Sequence, residues 1–485
     1  MQKNPSIPLD SLIAFSDLQM LLSIQHAHIT RPHATDVPRP QFPTVPMLVA
    51  LGFGMIATFM FLIMTKRLTP VVALILVPAI FGVIAGGGPE LGKAVITSIK
   101  TVAPTACLLF FAIIFFGLMI DVGMFDPLIR LILRFVQHDP VKLALGTALL
   151  TSIVSLDGDG STTFIIVTSA FLPIYLRIGM RPWALTCIAA TANGLLNTVP
   201  WGGSTARAAA ALKVGPVDIF VPMIPAVLAG LVGLLVMAAW IGRQERQRIG
   251  DLRLPQHDVP ADDAHAHHQA TQGLVLHRPH ARPRLTLLNA GLTLAVMTLL
   301  VIGTLPPAVV FLLAVAVALV INFPKVSEQS EQIKAHASSI VGVVGMVFAA
   351  TMLTGVLSGS GMVEAMAKWL VAVIPVSWGP HLALVTGLIS IPMTFFTSND
   401  AFYFGVLPIL TETASHYGIA PTEMARAALV GQPLHQSSPL VASFLLLVGL
   451  AKVELGEHAR KSIWRATAIG VLMLATGALT GAYPA

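Results

Sequence analysis

Two aspartates, Asp157 and Asp159, stand close together in the stretch SLDGDGST at residues 155–162, between two apolar segments. Neighbouring carboxylates repel each other, so at least one of them is expected to hold a proton unless a cation lies between them. The pair could therefore take up and release a proton, or coordinate Mg²⁺ or Ca²⁺ through hard oxygens. Alternatively, the aspartates could cap the helix that follows. We favour a role in proton coupling or metal binding for the pair.

A second polar interruption, TSND at residues 397–400, lies within another apolar region. Asp400 occupies the position in this stretch that corresponds to the two aspartates of the first stretch. This correspondence predicts a related role in proton coupling or metal binding. Small polar residues in both interruptions are candidate substrate contacts, namely Ser161, Thr162, Ser398 and Asn399.

Two further interruptions, TANGLLNTVPWGGSTAR at residues 191–207 and GQPLHQSSP at residues 431–439, contain helix breakers among amides and hydroxyls. Gly202 and Gly203 after Pro200 are expected to break the first helix near its middle. Half-helix N-termini suit carboxylates, because they carry free N–H groups and a partial positive charge. Unwound carbonyls and side-chain oxygens suit cations. The pattern therefore predicts a site for an oxyanion together with a cation.

The side chains of these two interruptions supply the remaining candidate contacts. Arg207 could clamp a substrate carboxylate with two parallel hydrogen bonds, or it could extend outward to the membrane interface. His435 could titrate or bind substrate, or it could be a buried, hydrogen-bonded histidine. Small and polar residues complete the predicted substrate site, namely Asn193, Asn197, Gly202, Gly203, Ser204, Thr205, Gln436 and Ser437.

The composition indicates the kind of structure that must position these residues. Of 485 residues, 55% are apolar and 11% are charged, whereas soluble domains carry about 25% charged residues. Several apolar runs reach the roughly 20 residues that a membrane-crossing helix needs. Lipid offers no partner to open backbone groups, so we predict an all-α polytopic membrane protein. The net charge of +6 is ordinary for this class, because basic residues collect in cytoplasmic loops, and it does not indicate nucleic-acid binding.

Hydropathy predicts ten spans and two apolar regions that do not fit a single crossing. The spans are at about residues 47–64, 68–86, 102–121, 183–212, 217–241, 286–304, 306–323, 338–357, 424–450 and 462–482. The two remaining regions are residues 143–176 and 381–416, and each contains one of the interruptions that carry aspartate.

The first of these regions is predicted to be a re-entrant hairpin. Its first arm, residues 143–156, reaches about 21 Å as a helix, which is short of a hydrocarbon core of about 30 Å. Basic residues flank the region on both sides, which places its two ends in the cytoplasm. Each aspartate at the tip would cost roughly 2.5–3.5 kcal/mol at the bilayer centre, which argues for a function. The alternative is two short spans with a polar loop outside.

Basic loops orient the rest of the chain and reveal a repeat. Lys66 and Arg67, the loop at residues 243–284 and the last short loop are all basic and predicted to be cytoplasmic, which leaves both termini outside. Each half then has an odd number of spans, so the second half is inverted relative to the first. The stretch GLMIDVGMFD matches GVLSGSGMVE, and DGD aligns with SND. Inverted repeats with interrupted helices are typical of secondary transporters.

We divide the chain accordingly into four parts. Residues 1–46 are a proline-rich extension that precedes a possible native start at Met47. Residues 47–242 form the first repeat, with the cytoplasmic-side hairpin at 143–176. Residues 243–284 are a linker whose HAHH tract could bind metal, although its polar composition favours a flexible connection. Residues 285–485 form the second repeat, with the outer-side hairpin at 381–416.

Three stretches carry a resemblance to a known family. LDGDGSTTFIIVTSAFLPIYLRIGM at residues 156–180, TSNDAFYFGVLPIL at 397–410 and LIMTKRLTPVVALILVPAIFG at 62–82 resemble the bacterial metal–citrate:proton symporters of the ion transporter superfamily. The resemblance runs from about Met47 to the C-terminus. It implies a homodimer in the bacterial cytoplasmic membrane that takes up citrate complexed with Mg²⁺ or Ca²⁺ together with protons, by an elevator motion. The metal travels with the substrate, and no permanently bound cofactor is implied.

The hairpin tips depart from those of sodium-coupled dicarboxylate relatives, where they read Ser-Asn-Thr and form sodium sites. Ser398 and Asn399 match that pattern but Asp400 does not, and the first tip reads Asp-Gly-Asp. These departures favour protons or a metal over sodium. A sodium-coupled carrier of free di- or tricarboxylates stays as the alternative. A membrane-embedded enzyme is disfavoured by the lack of an HExxH, GxSxG or P-loop motif, and a channel by the inverted repeats.

Overall fold

A computed structural model describes residues 45–136, 139–157, 160–251 and 280–485. This part of the chain is helical and contains no β-strand, which confirms the predicted all-α class. Most of the predicted N-terminal extension, most of the linker with its HAHH tract, and Asp159 lie outside the described residues. For Asp157 the structure describes the backbone only.

The first half consists of nine helices in the described residues, several of which begin with a proline at the first helical position, where its missing N–H is tolerated. They are α1 (Val45–Met64), α2 (Pro70–Ile84), α3 (Pro89–Asp121), α4 (Asp126–Val136), α5 (Pro140–Val154), α6 (Gly160–Arg177), α7 (Pro182–Leu196), α8 (Gly203–Leu212) and α9 (Pro216–Asp251).

The second half continues with α10 (Thr286–Ile302), α11 (Pro307–Asn322), α12 (Val326–Ala335), α13 (Ala337–Gly359), α14 (Met362–Val373), α15 (Leu382–Phe396), α16 (Leu407–Ser415), α17 (Pro421–Ala428), α18 (Gln432–His435), α19 (Ala442–Ala451) and α20 (Leu455–Leu479). Short 3₁₀ turns lie at Ser155–Asp157, Pro283–Leu285, Val376–His381 and Leu429–Gly431, and Ala401–Val406 is π-helical.

Seven helical segments in the described residues are long and apolar enough to cross a membrane: Val45–Ile63, Pro89–Asp121, Pro216–Gly250, Pro283–Leu300, Ala337–Gly359, Val376–Phe396 and Leu455–Leu479. The spans predicted at 68–86 and 306–323 are helices of 15 and 16 residues. Those predicted at 183–212 and 424–450 are broken helices. The span predicted at 102–121 begins earlier, at Pro89.

Two helix pairs occupy the regions for which hairpins are predicted. Helices α5 and α6 pack against each other on either side of the first tip, and α15 packs against α16 beside the second. Helix α5 has 15 residues, so it extends about 23 Å and is too short for a hydrocarbon core of about 30 Å. Helix α5 alone is therefore too short to cross the core, whereas the segment Val376–Phe396 before the second tip is long enough, and both re-entrant hairpins stay predictions.

The two halves repeat the same order of elements. In each, a long helix (α3 or α13) precedes a short helix (α4 or α14), a hairpin, a broken helix and a final long helix (α9 or α20). Left-handed backbone marks matching positions of the two halves: Gly123 (φ +74°) and Gly361 (φ +75°), Gly179 (φ +77°) and Gly418 (φ +80°), Lys213 (φ +57°) and Lys452 (φ +52°). These pairs fix the register between the halves.

The helices pack in two groups. Helices α2, α3, α10, α11 and α13 pack largely on one another, while α1 packs on α2, on α14 and on the π-helical segment Ala401–Val406. The hairpins and broken helices pack on one another and on α9 and α20. The groups meet where α3 and α13 contact α8, where α3 contacts the turn Ser155–Asp157, and where α1 and α13 contact the π-helical segment Ala401–Val406. The four interrupted elements therefore belong to one packed unit.

Candidate functional site

The first broken helix opens at the predicted position. Helix α7 ends at Leu196 and α8 begins at Gly203. The Asn197 side chain compensates the break, because its Oδ1 accepts a hydrogen bond of 2.8 Å from the Gly203 N–H. The Thr205 hydroxyl donates to the Thr198 carbonyl at 2.8 Å. Polar side chains therefore satisfy backbone groups that unwinding frees at membrane depth.

In both broken helices, a side-chain amide and a hydroxyl form a hydrogen bond across the break. The Asn197 amide donates to the Ser204 hydroxyl at 2.7 Å across the first break. In the second, the Gln436 amide donates to the Ser443 hydroxyl at 3.0 Å. The register that pairs Lys213 with Lys452 also pairs Asn197 with Gln436 and Ser204 with Ser443. Each break is therefore joined by an amide and a hydroxyl at equivalent positions.

Gln432 is the centre of a buried network that joins three elements. Its Oε1 accepts hydrogen bonds from the Ser204 hydroxyl at 2.5 Å and from the Asn399 amide at 3.2 Å. Its Nε2 donates to the Asn399 Oδ1 at 3.1 Å and to the Tyr403 hydroxyl at 2.9 Å. The network connects α8, the second hairpin and α18. Sequence reasoning missed Gln432 and Tyr403, although Gln432 lies in a quoted interruption and matches Asn193 in the repeat.

Arg207 and Asp400 form an ion pair beside this network. The Arg207 Nε lies 2.5 Å from the Asp400 Oδ1, and the side chains are 20% and 9% exposed. The Arg207 Nη1 also donates to the Gly203 carbonyl at 2.9 Å. The Ser398 hydroxyl accepts from the Ala401 N–H at 3.1 Å and orders the tip. Two residues predicted from separate interruptions thus meet, while the substrate role of Arg207 stays a prediction.

The first hairpin tip is anchored by other polar contacts. The Asn193 amide donates to the Ser155 hydroxyl at 2.9 Å, and the Trp201 indole N–H donates to the Leu156 carbonyl at 2.7 Å. Gly160, the first residue of α6, lies close to Asn193 and Gln436. The first tip therefore contacts both broken helices, as the second does. The roles of the two aspartates stay predictions.

The histidines near the second break are held by hydrogen bonds. The His435 Nδ1 lies 2.6 Å from the Thr394 carbonyl oxygen, and the residue is 7% exposed. His458, which the sequence did not single out, bridges the Ser437 and Thr186 hydroxyls at 3.1 and 3.0 Å. This geometry agrees with the alternative of a buried, hydrogen-bonded His435. Ser437 is likewise held by a hydrogen bond, to His458.

A cavity of about 510 Å³ lies where the first hairpin and the first break face α3 and α13. Thr162 and Gly203 line it from the first turns of α6 and α8, so two positive helix ends border the space. Its size falls within the range of small-molecule sites. The lining comprises Ile113, Gly117, Ile120, Asp121, Thr162, Trp201, Gly203, Ala335, His336, Ser338, Ser339, Gly342 and Val343.

One ionisable pair at this cavity was not predicted from the sequence. The His336 Nε2 lies 3.1 Å from the Asp121 Oδ2, which joins the end of α3 to the start of α13. Gly117 lies directly beneath the imidazole, where a side chain would collide with it. Asp121 and Gly117 lie one helical turn apart, so they face the same side. Asp121 stands in the quoted stretch GLMIDVGMFD, but nothing in the sequence links it to His336.

Trp201 forms the aromatic wall of the same cavity. Its ring stacks on Phe116 with centroids 4.4 Å apart and meets Phe311 edge-on at 5.6 Å. It is 5% exposed. Trp201 therefore connects the first break both to the hairpin tip and to α3 and α11.

The predicted substrate residues thus fall into distinct places. Two of them, Thr162 and Gly203, line the cavity. The other polar residues do not line it and are held by hydrogen bonds in the hairpins and broken helices: Asn193, Asn197, Ser204, Thr205, Arg207, Ser398, Asn399, Asp400, His435, Gln436 and Ser437. Gly202 closes the turn at the break by donating to the Val199 carbonyl. Ser161 lies in the first turn of α6, next to Thr162.

Comparisons with known proteins show the family of this chain. A family model described as citrate transporter (CitMHS) matches residues 40–431. A Bacillus subtilis protein named citrate transporter is 48% identical over 90% of this chain and 99% of its own. Another from that organism, named Mg(2+)/citrate complex secondary transporter, is 44% identical over 90% of this chain and 99% of its own.

Among solved structures, the YdaH transporter of Alcanivorax borkumensis is similar with a TM-score of 0.48 and 14% identity, over 88% of this chain and 97% of that chain. The family match spans most of the helices that form the site. The resemblance drawn from the hairpin motifs is confirmed: this chain is a multi-pass membrane protein that belongs to the citrate transporter family.

Proposed function

We propose that this chain takes up citrate complexed with a divalent cation of the Mg²⁺ or Ca²⁺ class, in symport with protons. The observation that carries the proposal is the cavity bordered by the first turns of α6 and α8. Two helix N-termini that face one polar cavity suit a ligand with several carboxylates. Citrate supplies three, and its complexed metal reduces their mutual repulsion.

The cation part of the proposal is supported by the acidic groups near this cavity. Asp121 lines it, and in the sequence Asp157 and Asp159 precede Thr162, which also lines it. Hard oxygen ligands suit Mg²⁺ and Ca²⁺, and carboxylates at membrane depth are typical of proton relays. A relative is named as a transporter of the Mg²⁺/citrate complex, which favours metal–citrate over the free anion for this chain as well.

A sodium-coupled carrier of free di- or tricarboxylates is the second candidate, since it would use a similar cavity. Uptake of labelled citrate into proteoliposomes separates the two candidates. An inward-directed proton gradient with Mg²⁺ or Ca²⁺ present is expected to drive uptake, and a chelator is expected to suppress it. Uptake that ignores metal and pH but requires sodium would overturn the proposal. Chemical conversion of the citrate inside would instead indicate an enzyme.

We also propose that transport proceeds by an elevator motion within a homodimer of the bacterial cytoplasmic membrane. The grouping of both hairpins and both broken helices in one packed unit supports the motion. A cleavable bifunctional crosslink between cysteines placed at Lys213, at the end of α8, and Ser358 of α13, whose side chains lie 3.5 Å apart, is expected to stop uptake until the link is cleaved. Native mass spectrometry of the purified protein is expected to show two copies, and a monomer would contradict the dimer.

A further inference from the structure

We propose that the Arg207 guanidinium is a tethered counter-ion that permanently fills the cation position of the second hairpin tip. The tip would then bind no exchangeable cation, and cation coupling would depend on other parts of the molecule. This inference adds to the proposed function. Only its consequence for cation coupling rests on the proposal that the chain is a transporter. The ion pair itself can be tested without citrate.

The tip has the composition of a cation site. Asp400 is 7% exposed and Asn399 is 6% exposed. The tip offers the Asp400 carboxylate and, at the neighbouring residue, the Asn399 Oδ1, which are oxygen ligands of the kind that hard cations bind. A buried carboxylate needs a cation or a proton, because its charge is otherwise uncompensated. In the described residues, the one charged group within ion-pair distance of Asp400 is Arg207.

Arg207 is placed where a small cation would be held. Its Nε is bonded to the Asp400 carboxylate and its Nη1 to the Gly203 carbonyl, at 2.5 and 2.9 Å. Carboxylates bind hard cations, and unwound backbone carbonyls coordinate the coupling ions of broken-helix transporters. The Gly203 carbonyl belongs to the first residue of α8, next to the break. Arg207 lies one turn after Gly203 on α8, so the helix itself fixes the position of the guanidinium. Both ligands are thereby occupied by donors that cannot leave.

The second half of the chain lacks this cation. Helices α8 and α19 have 10 residues each, and both end at a left-handed lysine, Lys213 or Lys452. Ser204 and Ser443 occupy the same position near their starts. In that register the residue equivalent to Arg207 is Leu446. The repeat therefore supplies an arginine from α8 but none from the equivalent position of α19. The two hairpin tips then differ in whether the chain itself provides the cation.

Chemical rescue tests the inference in the full chain purified in detergent. Arg207→Ala is expected to lower the thermal unfolding temperature by several degrees, because Asp400 loses its partner. Millimolar methylguanidinium chloride is expected to restore part of the loss, while choline chloride at equal concentration is not. The matched control is Arg207→Ala with Asp400→Asn, which has no carboxylate to neutralise and is expected to ignore methylguanidinium. An equal response of these two variants would overturn the inference.

A double-mutant cycle gives a second test if Arg207→Ala does not fold. Arg207→Gln and Asp400→Asn are each expected to destabilise the protein, and the double variant is expected to be more stable than their summed effects. Additive losses would contradict the pairing. A rise in the wild-type unfolding temperature with sodium chloride over choline chloride, abolished by Asp400→Asn, would show an exchangeable cation at the tip and overturn the inference. Citrate enters none of these measurements, so failure of the proposed function would not be mistaken for failure here.

Discussion

Gln432 makes more hydrogen bonds than any other side chain in the network around the second tip. Its removal is therefore expected to break several hydrogen bonds at once. Gln432→Leu would remove the acceptor of the Ser204 hydroxyl and the donor to the Asn399 Oδ1, and each buried group left unsatisfied costs about 1–3 kcal/mol. We expect a strong drop in the unfolding temperature and loss of citrate uptake. Tyr403→Phe is the matched control, because it removes one hydroxyl and leaves the other contacts. Equal effects of the two variants would contradict a central role for Gln432.

The aspartates of the first tip allow a separate test of function against capping. Asp157→Asn and Asp159→Asn keep the shape of the side chain and an oxygen that can cap a helix, but neither can bind a proton or a hard cation as a carboxylate does. We expect each variant to insert and fold normally while citrate uptake is abolished. Normal uptake by both variants would show that the aspartates only order the tip.

The sequence locates the breaks in the helices better than it locates the partners of the polar residues. Pro200, Gly202 and Gly203 locate the first break, because their backbone properties act within a few residues. The Arg207–Asp400 pair joins the two halves of the chain and depends on how they pack. The same holds for Asp121 and His336. Long-range pairing of this kind leaves no signal in a single sequence.

At the scale of elements, the backbones of the two broken helices approach each other closely where α7 meets α18. A side chain at Gly194 of α7 would collide with the backbone of Gln432 and Pro433 in α18. Backbone cannot move aside as a flexible side chain can, so Gly194→Ala is expected to separate the helices and abolish uptake. Gly449→Ala in α19 is the matched control, because nothing lies within 4 Å of its added atom. Uptake assays and unfolding temperatures of both variants check the prediction, and normal uptake by Gly194→Ala would refute it.

The turn between the first hairpin and α7 is fastened to α9 by a buried carboxylate. Glu245 is 0% exposed and pairs with Arg181 at 2.5 Å and Arg248 at 2.7 Å. Arg248 also donates to the Gly179 carbonyl. Removing one member of a buried pair leaves uncompensated charge, so Glu245→Ala is expected to lower the unfolding temperature by several degrees.

The control for Glu245 lies one residue further along α9. Arg246 pairs with Asp139 at 3.5 Å, with side chains 57% and 33% exposed. Exposed pairs contribute about 0–1 kcal/mol, so Arg246→Ala is expected to leave the unfolding temperature nearly unchanged. Similar shifts for the two variants would mean that the Glu245 pairs do not fasten the turn.

Hydropathy predicts the ends of a helix well where the helix is apolar throughout. It predicts them poorly where charged residues lie within the helix. Helix α3 begins at Pro89 rather than near residue 102, because Glu90, Lys93 and Lys100 lower the hydropathy of its first turns. The short helices α4, α12 and α14 are absent from the predicted spans, because they have only 10 to 12 residues and carry charges. Glu364 and Lys368 of α14, for example, form an exposed pair. Hydropathy detects membrane crossing and is insensitive to such helices.

At the scale of the whole molecule, the repeat predicts that equivalent positions lie on opposite sides of the membrane. Arg177 ends the first hairpin and His416 follows the second, each two residues before a left-handed glycine, Gly179 or Gly418. Both residues are exposed. If the halves are inverted, Arg177 faces the cytoplasm and His416 faces the outside, because each hairpin enters from its own side.

Cysteine labelling tests this in cells that express the full chain with Cys107 and Cys187 replaced by alanine. A membrane-impermeant maleimide is expected to label His416→Cys in intact cells and Arg177→Cys only after permeabilisation. Both variants are expected to retain citrate uptake, which shows that the labelled population is folded. Labelling of both positions from outside would place the end of the first hairpin on the same side as the end of the second, and would contradict the inverted repeat.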